Sequence, residues 1–223
     1  EGCSVNNKGG DRTGYGLPPS QIELLKRLRK RFKRVVSVVF GGSPFDLKPV
    51  CELSDAVMLA WYPGEQGGRA VARAVLGKAN PSGRLPITYP ASYEDLPDFK
   101  SYALSGRTYR YATKKPAYPF GYGLSYTTFA YANVKVKVEG EGGERKAVVS
   151  VNVKNTGKLA GEEVVQLYVR APANAGDRRL HHLEGFARVK LAPDEEKSVT
   201  LTVKKDQFAV YGEDGRAAVP AGA

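Results

Sequence analysis

The sequence predicts two bodies of different class: part of an α/β domain with parallel strands and flanking helices, then an antiparallel β-sandwich. "RVVSVVF" (34–40) and "AVMLAWYP" (56–63) are continuous apolar runs, the pattern of parallel strands buried on both faces. After residue 130 the runs alternate apolar and polar side chains, the pattern of strands with one wet face. Between these regimes, "YPFGYGLSYTTF" (118–129) holds five aromatic residues and two glycines and fits neither period. The predicted divisions are 1–113 for the α/β part with a tyrosine- and proline-rich extension, 114–130 for an interdomain junction, and 131–223 for the sandwich.

Residues 1–16 are polar and glycine-rich and read as a loop. "LPPSQIELLKRLRKRF" (17–32) starts a helix, with Ser20 as its expected N-cap. The first apolar strand follows and closes at Gly41 and Gly42; the second leads into "GEQGGRAVARAVLG" (64–77). There Ala70, Val71, Ala74 and Val75 share a helical face, and Gly77 suits the residue after the last turn. From about 80 to 130 prolines and tyrosines recur without regular period, as in a segment lying across other surfaces. Then come "VKVKV" (134–138), "VVSVNVKNTG" (148–157), "EVVQLYVR" (163–170), "FARVKLAP" (186–193) and "SVTLTVKK" (198–205), separated by turn signals such as Asn155-Thr156-Gly157.

A hydrophobic content of 42% supports real cores, and no eighteen-residue apolar run suggests a membrane span. Neither a membrane nor a nucleic-acid partner is expected, although the net charge is +11. Much of that charge lies in "LLKRLRKRFKR" (24–34), where Leu24, Leu25, Leu28 and Phe32 share one helix face and the bases take the other, the arrangement of a solvated outer helix. Cys3 and Cys51 make no metal spacing; one bridge between them is compatible with the sequence. No metal or cofactor is expected: the adjacent His181 and His182 lack supporting ligands and read as exposed loop residues, and "GYGLSY" lacks the strand and helix of a dinucleotide fingerprint.

Five ordered motifs carry a family resemblance: "GGDRTGYGLPPSQIELL" (9–25), "GGSP" (41–44), "AWYPGEQGGRAVARAVLGKANPSGRLPITYP" (60–90), "RTYRY" (107–111) and "YPFGYGLSYTTF" (118–129). With them the chain resembles the C-terminal part of glycoside hydrolase family 3, the β-glucosidase and β-xylosidase group. "VNVKNTGKLAGEEVVQLYV" and "LEGFARVKLAPDEEKSVTLTV" look like that family's fibronectin type III-like domain. The resemblance implies a retaining exo-glycosidase acting on terminal β-linked sugars of a glycoside or oligosaccharide. It also implies an N-terminal TIM barrel, absent from these residues, that supplies the aspartate nucleophile; a barrel takes about 250 residues. This chain alone is therefore expected to be inactive, both its ends are expected to be clipped, and the last sandwich strand is expected to be truncated. A non-catalytic module that braces the enzyme, binds polysaccharide or mediates assembly is the alternative, and a homo-oligomer is compatible with either. Cytoplasmic, periplasmic and secreted locations all agree with the sequence.

A retaining glycosidase needs an acid/base beside its nucleophile. The resemblance implies an acid/base on the loop just before the "GGDRT"-like segment, which makes Glu1 the sole candidate here; the alternative is a residue upstream with Glu1 as its neighbour. Asp11 and Arg12 read either as shaping that loop or as a local ion pair. Glu65 reads as a charge stabilising a helix N-terminus, Gly67 and Gly68 as close-packing positions, and Trp61 as core. In the junction, Gly121 and Gly123 are expected to turn the backbone, with Tyr118, Phe120, Tyr122, Tyr126 and Phe129 mostly buried.

Overall fold

The computed structural model describes residues 14–98, 100–172, 177–212 and 214–220. The chain forms two compact units: one holds the residues up to Ala79 with Thr88–Ser101 and Lys114–Tyr118, the other Asn80–Ile87, Tyr102–Thr113 and the chain from Pro119.

The first unit opens with α1 (Pro19–Arg31). Its N-cap position is Pro18, and no side chain caps it, so Ser20 sits inside the first turn rather than before it. Proline at the first helical position explains this, because its fixed φ already suits a helix and its missing N–H leaves no donor to satisfy. Ile22, Leu25 and Leu28 are half-buried, whereas Leu24 and Phe32 are exposed, so the packed stripe is narrower than the leucine pattern suggested. Arg29 Nη1 lies 2.6 Å from Asp55 Oδ2, which also accepts the Val35 amide at 2.8 Å. These bonds join α1 to the entry of the sheet.

Strands β1 (Val36–Phe40) and β2 (Ala56–Trp61) pair in parallel, linked through α2 (Lys48–Leu53). Helix α2 escapes the sequence reading because six residues carry too little period. Strand β1 is not sealed on both faces: Val36 and Phe40 are about half exposed, while Ser37 is buried with its hydroxyl 2.6 Å from that of Ser54. Among the described residues this sheet has two strands, too few to cover a continuous apolar run. Val35, Phe45, Leu47, Val50, Ala74 and Tyr89 form the buried apolar set of this unit. Tyr89 bridges to Tyr118, its amide donating to the Tyr118 carbonyl at 2.9 Å with the rings edge-on. Helix α3 (Gly67–Val75) buries Ala74 and half-buries Val71, but Ala70 and Val75 are exposed. It ends where Gly77 takes φ +69°, a conformation suited to glycine.

The second unit is the antiparallel sandwich. One sheet has the order β3 (Phe129–Glu139), β4 (Lys146–Asn155), β7 (Glu196–Lys204); the other pairs β5 (Gly161–Val169) with β6 (His182–Leu191). Val151, Val153 and Val199 of the first sheet meet Val165, Val189 and Leu191 of the second, which is the inward set that period-two alternation dictates. A two-residue hairpin, β8 (Val210–Tyr211) with β9 (Ala217–Ala218), follows.

Two earlier stretches of chain belong to this unit. In one, the Leu85 amide donates to Tyr122 O and the Gly121 amide to Leu85 O. In the other, the short helix α4 (Thr108–Tyr111) places Tyr109 flat on Phe120, with ring centroids 4.2 Å apart, and edge-on to Tyr168. The Tyr109 hydroxyl accepts the Leu183 amide at 3.1 Å.

Candidate functional site

The acid/base candidate Glu1, the loop pair Asp11 and Arg12, and Cys3 with its considered bridge to Cys51 lie outside the described residues. Cys51 is half-buried, its Sγ 3.2 Å from the Tyr118 hydroxyl. Glu65 is exposed and directly precedes Gln66, the N-cap position of α3, where no side chain makes a capping bond. Gly67 is buried against the Pro63 ring; Gly68 is exposed.

The carboxyl ends of β1 and β2 bring Gly41 and Gly42 beside Trp61 and Tyr62, the edge where parallel sheets bind ligands. Trp61 is half-buried rather than fully core and holds φ +50°, a conformation costly for a non-glycine residue. Tyr62 is exposed, and its ring lies where a Cβ on Gly42 would stand.

The histidine pair is not exposed as expected. His182 opens β6, paired with Val169, and is almost fully buried; its Nε2 lies 3.1 Å from Gln207 O and 3.2 Å from Glu184 Oε1. His181 joins the rings of Tyr109 and Tyr168. The strand starts four residues before the alternation in "FARVKLAP" becomes legible, which turns a supposed loop into structure.

The burial expected of the 118–129 aromatics also fails. Tyr118, Phe120 and Phe129 are only half-buried, and Tyr122 and Tyr126 are exposed. Backbone occupies the tight positions instead of rings: a Cβ on Gly121 would collide with the Gln166 carboxamide, and one on Gly123 with the Gly83 carbonyl.

Phe120, Gly121, Tyr122 and Gly123 help line an open pocket of about 470 Å³ within the second unit. On its lining Arg84 Nη2 donates to Glu163 Oε2 at 2.7 Å, with both side chains nearly buried (12% and 10% exposed). Arg84 Nη1 donates to the carbonyls of Ser82 and Gly83. Gln166 Nε2 donates to Gly121 O at 3.0 Å, and Gln166 Oε1 accepts from the Tyr168 hydroxyl at 2.6 Å. Tyr131 of β3 stands at the same pocket; burial first, then the charge and hydrogen bonding of Glu163, raise its phenol well above the usual tyrosine range. Arg84, Tyr131, Glu163 and Gln166 escape sequence reasoning, because the partners of the ion pair stand 79 positions apart.

Comparison with known proteins bears on both units. Residues 2–126 match the model of the glycosyl hydrolase family 3 C-terminal domain, and residues 163–223 that of a fibronectin type III-like domain. The chain is 41% identical to a xylan 1,4-beta-xylosidase of Xylanibacter ruminicola, a match covering 92% of this chain and 23% of the relative. It is 37% identical to a beta-glucosidase of Bacteroides ovatus, covering 94% and 30% respectively. Among solved structures, a GH3 beta-glucosidase of Bifidobacterium adolescentis superposes with a TM-score of 0.86 at 32% identity, over 97% of this chain and 34% of that one. The chain thus spans about a quarter to a third of the length of these relatives.

Proposed function

The chain belongs to glycosyl hydrolase family 3, and from that premise we propose that it is the C-terminal part of a retaining, exo-acting β-glycosidase. The proposed substrates are glycosides or oligosaccharides with a terminal β-linked glucosyl or xylosyl unit. The observation that carries this reading is the order of two family matches along one chain, the family's C-terminal domain followed by a fibronectin type III-like domain. The names of the relatives, beta-xylosidase and beta-glucosidase, support the substrate class.

Retention requires two carboxyl groups about 5 Å apart. The nucleophile is assigned to a barrel outside this chain. Glu1 is assigned as acid/base: protonated, it gives its proton to the leaving glycosidic oxygen; ionised, it takes one from the water that releases the sugar. Asp11 and Arg12 are proposed either to shape the loop that carries it or to form a local ion pair. A general acid of this kind contributes roughly 10²–10⁴-fold to the rate.

The test is turnover of p-nitrophenyl β-glucoside and β-xyloside. The 223-residue chain alone is expected to give none, and steady hydrolysis by it would place a nucleophile within these residues. In a polypeptide that also carries the barrel, Glu1→Gln is expected to lower turnover within that range. An unchanged rate moves the acid/base role upstream of Glu1.

A further inference from the structure

We propose that the pocket of the second unit binds a neutral oligosaccharide, with Tyr122 and Tyr131 as aromatic walls and Arg84, Glu163 and Gln166 as the polar groups that orient the sugar hydroxyls.

Charge comes first. The two ionised groups of the pocket are Arg84 and Glu163, paired at 2.7 Å and nearly out of water. Each neutralises the other, so an ionic ligand gains little there, and a neutral one need not break the pair. Their hydrogen-bonding capacity is not exhausted: a guanidinium has five N–H donors. Among the described residues, three of Arg84's are engaged, by Ser82, Gly83 and Glu163. Of the two Gln166 amide hydrogens, one is engaged among the described residues, by Gly121. A planar guanidinium, carboxylate and carboxamide in one pocket can bridge adjacent hydroxyls of a sugar ring, giving and accepting at once.

The walls supply the other half of a pyranose, its C–H faces. Tyr122 and Tyr131 line the pocket and remain 37% and 49% exposed. Such rings combine a broad apolar surface with a polar tip. The Tyr131 hydroxyl is hydrogen-bonded to Glu163, and its oxygen keeps lone pairs that can accept from a sugar hydroxyl.

The site is also preformed. Gly121, at φ +78°, is held by bonds to Leu85 and Gln166, and the volume falls within the range of about 300–1,000 Å³ usual for ligand pockets. A peptide strand adding along β5 is less suited, because the Val164 amide is already bonded to Glu163 Oε1 at 3.1 Å.

The neutral, polyhydroxylated character of the ligand follows from the pocket, whereas the choice of β-gluco- and xylo-oligosaccharides rests on the proposed function. Isothermal titration of the 223-residue chain with cellotetraose and xylotetraose tests both parts without relying on turnover. Saturable binding of at least one is expected, with Tyr122→Ala and Tyr131→Ala each weakening it roughly three- to tenfold, in line with the worth of one aromatic contact. Tyr211→Ala, an exposed tyrosine outside the pocket lining, is expected to leave Kd unchanged. Near-UV circular dichroism checks that the variants fold; should the alanine variants unfold, Tyr131→Phe keeps the ring and is expected to lose affinity through its hydroxyl alone. No saturable binding of either tetrasaccharide overturns the proposal, as does binding that survives the folded variants or prefers the anionic tetragalacturonate. Hydrolysis assays of the full enzyme stand or fall separately, so a failure here leaves the glycosidase reading to its own test.

Discussion

Asn155 shows how one residue can be misjudged when only its neighbours in sequence are visible. In "NTG" it reads as a turn former, and the chain does turn there. Yet the side chain is wholly buried, and all of its polar groups have partners: Oδ1 accepts from the Thr127 hydroxyl at 2.6 Å and the Gly157 amide at 3.0 Å, while Nδ2 donates to the carbonyls of Leu159 and Leu191. Three separate stretches of chain meet on one carboxamide. Asn155→Ala leaves buried donors and acceptors unsatisfied and is expected to cost about 3 kcal/mol. Asn155→Asp should be no milder, because it sets a carboxylate against the Leu159 and Leu191 carbonyls. Urea unfolding of both variants measures this, and a loss below about 1 kcal/mol, a single ordinary hydrogen bond, would show that the network is redundant. Arg84 and Glu163 follow the same rule: nothing local in "SGRLP" or "AGEEVV" announces a buried ion pair.

Elements were legible in proportion to how often their pattern repeats. Strands β4, β5 and β7 of the sandwich fall where alternation places them, because a strand with one buried face repeats its signal every second residue, whereas β3 begins five residues before "VKVKV". Alternation marks strand β6 only from its middle, since "HHLEG" interrupts it, and the six residues of α2 are too few to show a period. In "YPFGYGLSYTTF" the backbone turns at Gly121, at φ +78°, but not at Gly123, and the tight packing expected of the rings falls to the backbone. The consequence is testable at Gly121. An alanine there must adopt φ +78°, costing about 1–2 kcal/mol, and its Cβ displaces the Gln166 carboxamide from its bond to the Gly121 carbonyl. Gly121→Ala is expected to lower the thermal midpoint through both effects. Gly215→Ala, at φ +74° in open space, should show the backbone penalty alone. Equal losses in the two variants would mean that the close approach to Gln166 contributes nothing.

For the molecule as a whole, the perturbed groups agree on how stability responds to acid. Asp55 is held below its usual pKa by the Val35 amide and then Arg29, and Glu195 by the Ala192 amide and then Lys197. Burial pushes the Asp177 carboxyl up, but the Arg179 side chain and amide outweigh it and the net shift is downward. A carboxyl with a lowered folded pKa adds stability above its unfolded value, and that stability disappears as pH falls through the folded one. His181 is lowered as well, by burial first and then by Arg170 and His182. For this base the unfolded chain takes up a proton near 6.5 while the folded chain resists, so stability again declines as pH falls, but in a higher window. Two steps are therefore expected in the thermal midpoint at constant ionic strength: a decline beginning near pH 6.5, then a steeper one below about pH 4 as the carboxyls protonate. The sequence shows the +11 net charge but not these steps, which depend on which amide or guanidinium each group meets. His181→Phe keeps a ring beside Tyr109 and Tyr168 while removing the titration, so calorimetry across pH should show the upper step vanish and the lower one persist. An upper step that survives this substitution would assign it to another group.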